Sequence, residues 1–390
     1  MRTRWAEPGV CAFIWGIFMA KTVQDDLAVT IADELNKHFK EGKVAFVKDE
    51  ETAADLDAFI STGSSLLDLA ISNRPHGGVP AGRIIELSGA EASGKSLLCA
   101  HLIANAQKAG GVGVFIDTET ATNWDFFDAV GVDRSKNWVY SWFDTVEDVF
   151  ESVDHVISTV RASDKKKRPV VIVIDSLAGA STRQEMEEGW GKEGYGTLKA
   201  MLVGKALRKI TSTIGKERII LVITNQLRQR IGAMPGQDPW ITPGGKALAF
   251  FSSVRVRLNL MGKIKKDKTE KEVIGVNVKA QVVKNRLGPP FRTAEFSIYF
   301  DRGIDDHGSW LPFLREKDII KGVKSNALTY TKNDGHKIEF GEREWNNLLQ
   351  SDAELQEEIY LKLCNTVIMS YKTEGLTAAD VATEAVSDEE

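Results

Sequence analysis

The chain has little cysteine: Cys11, Cys99 and Cys364 are the only three among 390 residues. They lie far apart, are odd in number and match no metal-ligand spacing. That excludes a disulfide-stapled secreted scaffold and a zinc module and favours a reducing compartment, with cytoplasm as the expected location. Nor does one sign of charge dominate. Fifty basic residues stand against 55 acidic ones, for a net charge of -5. Whole-chain charge would therefore repel phosphate, and any contact with nucleic acid must come from local basic patches. No 20-residue apolar run occurs, so no membrane span is expected. Internal repeats and low-complexity tracts are absent too. What is present is an ordinary globular composition, 43% hydrophobic and 27% charged, on a chain long enough for one large domain with appendages.

Residues 23–40 read as an amphipathic helix, with Leu27, Ile31, Leu35 and Phe39 along one stripe. Residues 44–47 then read as a short strand. Neither can bury its apolar face alone, so both must dock on this chain's core or on a neighbouring subunit. From about residue 59 to 303, strand-like runs (83–87, 112–116, 170–174, 219–223) alternate with helical periods (97–109, 146–160, 198–213). The runs 170–174 and 219–223 are continuously apolar and β-branched, as strands covered on both faces must be. This alternation predicts an α/β domain with a mostly parallel sheet. Three longer strand candidates follow at 253–260, 273–284 and 293–300, suggesting an antiparallel extension. Residues 304–376 then form a small C-terminal domain, and 377–390 an acidic tail.

Gly89-Ala90-Glu91-Ala92-Ser93-Gly94-Lys95-Ser96 fits the phosphate-loop pattern in full, between a predicted strand and a predicted helix. Glycines let backbone N–H groups face the phosphates, and the helix N-terminus adds a favourable dipole. Lys95 is placed to reach the β- and γ-phosphates and Ser96 to ligate Mg²⁺. Asp175 ends the apolar strand 170–174, where a Walker-B carboxylate holds the metal or its water. A third strand ends in Asp117-Thr118-Glu119, beside the loop in a parallel sheet. One of these carboxylates suits a general base for the attacking water. Glu119, with the longer reach, is preferred, and Asp117 stays open. The expected ligands are ATP and Mg²⁺.

The remaining motifs make the chain resemble the RecA recombinases of bacteria and their phages over about residues 60–303. The carriers, in order, are 60–69, 78–96, 114–119, 174–178, Thr224-Asn225-Gln226-Leu227-Arg228, Gly244-Gly245-Lys246-Ala247-Leu248 and Val282-Val283-Lys284-Asn285-Arg286. The resemblance implies a RecA-like P-loop core, with Glu119 as catalytic glutamate and Phe126 against the adenine. The family's residue there is tyrosine, so stacking is kept and a hydroxyl lost. Asn123 falls near the adenine edge, where an aspartate is usual. Gln226 falls at the family's γ-phosphate sensor, an order–disorder switch for the loop that follows. Lys284 and Arg286 match the basic pair inserted into the neighbouring subunit's ATP site, as an arginine finger is.

The segment 228–248 carries Arg228, Arg230 and Lys246 against Asp238 alone, and is rich in glycine and proline. It is predicted to be irregular and to bind DNA, with Ile231 or Met234 as a wedge between bases and Gly244 and Gly245 permitting close approach. A shorter loop at 186–196, with Gly189, Trp190 and Tyr195, suits stacking on single-stranded bases, and Arg208 matches a DNA-facing position. The run 263–268 is basic and reads as a solvated hairpin tip.

The resemblance thus implies a DNA-dependent ATPase that forms filaments on single-stranded DNA and carries out homologous pairing and strand exchange. Residues 21–58 would serve as a polymerisation arm, 59–303 as the core, and the C-terminal domain as an accessory site for double-stranded DNA. The competing reading is a RecA-like helicase or regulatory ring without strand exchange. Residues 1–20 are an apolar extension in which Arg2 and Arg4 precede Phe13, Ile14, Trp15, Ile17 and Phe18. That has the form of a secretory signal. Initiation at Met19 is preferred, because the chemistry downstream needs cytoplasmic ATP.

Overall fold

A computed structural model describes residues 26–38, 58–120, 122–163, 168–188, 195–230, 232, 234, 238–266, 272–322 and 324–370. The chain divides into one unit ending at Asp55 and a second beginning at Leu56. In the first, the predicted amphipathic helix spans Asp26–His38. The strand expected at 44–47, residues 1–20 and the acidic tail all lie outside the described residues.

The second unit is built on a nine-stranded sheet. In chain order its strands are β1 (Ile84–Gly89), β2 (Val112–Asp117), β3 (Trp138–Trp142), β4 (Val170–Asp175), β5 (Ile219–Gln226), β6 (Val254–Lys265), β7 (Val273–Asn285), β8 (Thr293–Tyr299) and β9 (Gly303–Asp305). Across the sheet the order is β9-β8-β7-β6-β1-β5-β4-β2-β3. The strands from β6 to β3 in that order are parallel to their neighbours, and β7, β8 and β9 continue antiparallel. The expected α/β class, mostly parallel sheet and antiparallel extension are all present.

Alternation decides the two cores, because successive strand residues face opposite sides. Ile85, Leu87, Phe115, Val171, Val173, Ile220 and Val222 enter one core, against the helix Lys95–Lys108. Ile84, Val114, Ile116, Ile172, Ile174, Leu221 and Ile223 enter the other, with Val149 and Val153 of helix Val146–Ser163 and Val203 and Leu207 of helix Tyr195–Glu217. Both faces are covered, which is why 170–174 and 219–223 carry no polar alternation. The carboxyl ends of β1, β2 and β4 therefore open on one edge.

Two elements depart from expectation. Strand β3 was not foreseen: it lies at the sheet edge, where Trp138, Tyr140 and Trp142 alternate with Val139 and Ser141 and no residue is fully buried, so no continuous apolar run marks it. The segment predicted to be irregular ends in a helix, Gly245–Phe251, entered from a left-handed Gly244. It also contains a two-residue ribbon, Arg228–Gln229 against Trp240–Ile241. Beyond β9, helices Asp306–Glu316, Trp345–Ser351 and Ala353–Val367 flank a three-stranded antiparallel sheet. Their buried Trp310, Leu314, Trp345 and Leu363 join the first core. No helix among the described residues is long and apolar enough to cross a membrane.

Candidate active site

The phosphate loop leaves the buried end of β1 and enters helix Lys95–Lys108 through Gly94, whose φ of 89° is left-handed. Glycine adopts that conformation without penalty. The loop, β2, β4 and β8 line one cleft of about 450 Å³. Into it the structure brings Ala92, Ser93, Gly94, Lys95, Ser96, Glu119, Asn123, Phe126 and Asp175. Gly89, Ala90 and Glu91 form the entry to the loop. Lys95 Nζ donates to the Gly89 carbonyl at 3.2 Å and the Ala90 carbonyl at 2.8 Å. Burial lowers the pKa of this ammonium, while Asp175 and Glu119 favour its charge.

Asp175 is held by hydroxyls. It accepts from Ser96 and, at 2.6 Å, from Thr224 Oγ1. Burial nonetheless raises its pKa above the ordinary carboxylate value. Ser96 with Asp175 is a hard-oxygen set of the kind Mg²⁺ prefers. Ser93 Oγ, buried within the same loop, has no hydrogen-bond partner among the described residues. Hydroxyl, carboxylate and unsatisfied loop donor together fit a magnesium-bound phosphate chain.

The two carboxylates left open by sequence part company here. Asp117 is buried and accepts from Glu119 N (2.9 Å), Thr120 N (2.8 Å), Thr122 Oγ1 (2.6 Å) and Tyr140 OH (3.1 Å). Its oxygens are committed to shaping the turn. Both carboxylates line the cleft, but among the described residues Glu119 accepts only from Ser176 Oγ, at 2.5 Å.

The far end of the cleft is apolar, walled by Phe126, Phe127, Leu97, Ala100, Val276, Ile298 and Phe300. Phe126 and Phe300 meet edge to face, with centroids 6.2 Å apart. Asn123 lines the cleft, and its side-chain oxygen caps helix Trp124–Ala129 by accepting from Asp125 N at 2.9 Å. Sequence reading missed Phe300, which lies beyond β8 and far from any motif. Ser176 and Thr224 lie inside motif runs, but their contacts to Glu119 and Asp175, like that of Tyr140 to Asp117, depend on which strands are neighbours.

Other predicted residues lie elsewhere. Gln226 ends β5 in register with Gly89 of the phosphate loop, and Leu227 N donates to the Gly89 carbonyl at 3.3 Å. Gln226 does not line the cleft. Lys284 and Arg286 sit outside it as well. Lys284 Nζ donates to the Ala249 and Phe250 carbonyls at 2.8 and 2.9 Å, and Arg286 to Phe250 at 3.2 Å. Burial, then the neighbouring Arg286 and Arg255, lowers the Lys284 pKa to about 8. Arg208, Arg228, Arg230 and Lys246 are exposed. Gly189, Trp190 and Ile231, together with the Tyr195 side chain, lie outside what is described.

A phosphate loop between central strand and helix, with an acidic strand end beside it, defines a P-loop nucleotide-binding protein. The family model for the RecA N-terminal domain matches residues 26–305. Proteins named RecA are similar along much of their length. That of Trichodesmium erythraeum is 42% identical over 67% of this chain and 68% of its own. The Cytophaga hutchinsonii protein is 36% identical over 93% of this chain and 95% of its own. For a Helicobacter pylori protein the figures are 37%, 87% and 92%. The chain belongs to the RecA family.

Proposed function

We propose that this protein is an ATP-dependent recombinase, a DNA-dependent ATPase that assembles on single-stranded DNA and pairs it with homologous duplex. The observation that carries the reading is the convergence of Lys95, Ser96, Asp175 and Glu119 on one cleft in a chain of this family. Lys95 binds the terminal phosphates, and Glu119 takes a proton from the attacking water. Ser96 and Asp175 hold Mg²⁺, which when bound neutralises charge on the β- and γ-oxygens. Phe126 and Phe300 take the base between them.

Coupling runs through Gln226, whose amide reads the γ-phosphate and which opens the loop carrying Arg228 and Arg230. Those arginines, with Lys246 and Arg208, contact DNA phosphates. Gly244 and Gly245 let the backbone approach, Ile231 wedges between bases, and Gly189 and Tyr195 belong to the second loop. Lys284 and Arg286, outside their own cleft, enter the neighbour's. The exposed Ile31 and Leu35 of the first helix suit docking on an adjacent subunit, and the C-terminal region serves duplex DNA.

The test is the ATPase rate without DNA, with single strands and with duplex, titrated in protein concentration. Strong cooperative stimulation by single strands is expected. A rate indifferent to DNA would move the protein to the regulatory or helicase branch of RecA-like ATPases.

A further inference from the structure

Three segments distant in sequence meet beside Glu119. The first is the turn 176–180 that follows β4. Ser176 donates its hydroxyl to Glu119 at 2.5 Å and its N–H to Thr118 Oγ1 at 3.0 Å, and its carbonyl accepts from Thr118 Oγ1 at 2.5 Å. Gly179 passes so close that a Cβ there would lie 2.8 Å from Thr118 Oγ1 and 2.9 Å from Glu119 Cγ. The turn is therefore the wall against which the carboxylate rests.

The second segment is the root of helix Tyr195–Glu217, directly after the sequence 189–194. The third is Gly244-Gly245, the end of the basic loop. A Cβ on Gly244 would lie 3.0 Å from Leu177 Cδ2, and one on Gly245 would lie 2.8 Å from Ala200 Cβ. Leu177 belongs to the turn and Ala200 to the helix root, so the roots of both predicted DNA loops pack on the wall behind Glu119.

Lys199 ties the junction together. Its Nζ donates to the Ala178 carbonyl at 3.1 Å and also to the Ala180 carbonyl. Burial lowers its pKa, Glu185 favours its charge and Arg228 of the basic loop opposes it. An ammonium shared by two carbonyls forms charge-assisted bonds, and carbonyls left without a donor are costly. Displacing the helix root must drag the turn with it.

We infer that Lys199 is a positioning residue that carries the state of the two loop roots to Glu119, through the turn 176–180 and the Ser176 hydroxyl. The inference rests on the DNA-dependent ATPase reading above. It assigns a route on the face of the sheet opposite the phosphate-loop helix, separate from Gln226 at the end of β5. A general base displaced by about 1 Å loses up to about 100-fold in rate, so a small shift of this turn is enough to gate hydrolysis.

The experiment compares the full chain with Lys199→Met and Lys199→Arg. For each, kcat and KM for ATP are measured at saturating single-stranded DNA, with oligonucleotide binding measured separately. In Lys199→Met the DNA-stimulated kcat falls about 10- to 100-fold, while KM for ATP and the DNA Kd stay within about twofold. Lys199→Arg, which keeps the charge and the donors, recovers most of the rate. Should Lys199→Met be unfolded by circular dichroism, Lys199→Leu, which likewise removes the donor, carries the same comparison. Full stimulation in the variant overturns the relay, as does DNA affinity lost in proportion to rate, since Lys199 would then be a DNA contact. The two failures can be told apart. A native protein that ignores DNA removes the functional reading and this inference together, whereas a stimulated native protein with an equally stimulated variant removes this inference alone.

Discussion

The Ser176 hydroxyl and the Glu119 carboxylate lie 2.5 Å apart, joining the chain just beyond β4 to the chain just beyond β2. Because those strands are parallel neighbours, the bond spans the short gap at the sheet edge where ligands of α/β folds collect. It fixes the carboxylate without spending its second oxygen.

Glu119→Gln should keep ATP binding and lower the hydrolysis rate by about 10²- to 10⁴-fold, the usual range for a general base. Single-turnover kinetics beside an equilibrium binding titration separates the two effects. Asp117→Asn should behave differently. Two of the four bonds its oxygens accept come from backbone N–H groups, so the change should lower stability by roughly 1–3 kcal/mol and weaken ATP binding with it. A native rate for Glu119→Gln would transfer the base to another group.

Gln226→Ala should bind ATP normally and lose the link between ATP and DNA affinity. Gln226 is in register with Gly89, so the strand end touches the phosphate loop while the residues after it lead to Arg228 and Arg230. Fluorescence anisotropy of a labelled single strand, with and without a slowly hydrolysed ATP analogue, measures the effect. An ATP-dependent rise equal to the native one would refute the sensor role.

Lys284→Ala combined with Arg286→Ala should leave ATP binding by dilute protein intact and remove cooperative hydrolysis. An arginine-finger cation is worth about 10³- to 10⁵-fold, and a loss of that order is expected in the assembled state. Rate against protein concentration is the readout: the native curve turns upward and the variant's stays linear. Normal hydrolysis in the variant would place the pair outside the neighbour's site.

Asp68 predicts a pH dependence of stability. Burial, against donors on Ser61 and Thr62 and with Asp306 adding to it, raises its pKa from 3.8 to about 7. Between those values the folded carboxyl keeps its proton and the unfolded one has lost it. The folded state binds more protons there, so this group's contribution to stability falls as pH rises from about 4 to about 7. Thermal melts of native protein and Asp68→Asn across that interval check it, and the variant should give the flatter curve. Parallel curves would mean that Asp68 titrates normally.

The phosphate loop was legible because its chemistry is local: eight consecutive residues, Gly89 to Ser96, bring their own backbone donors and helix terminus. Strands β4 and β5 were legible because burial on both faces forces continuous apolar runs. Strand β3 was not, since an edge strand with no fully buried residue carries no continuous apolar run. Nor was helix Gly245–Phe251, where glycine and proline nearby suggested irregular chain, yet Leu248 is fully buried and fixes the helix by packing.

By itself the sequence determined the α/β class, the alternation that makes the sheet mostly parallel, and the residue types able to meet a nucleotide. Those depend on periodicity and on motifs that close within a few residues. Only the tertiary structure distinguished the surroundings of Asp117 and Glu119, with Tyr140 and Thr122 donating to one carboxylate and Ser176 to the other. It alone put Phe300 opposite Phe126 and Lys199 beneath the turn that holds Glu119. Each of those relations is between strands or helices made neighbours by the fold, and a contact between distant segments leaves no period or spacing along the chain.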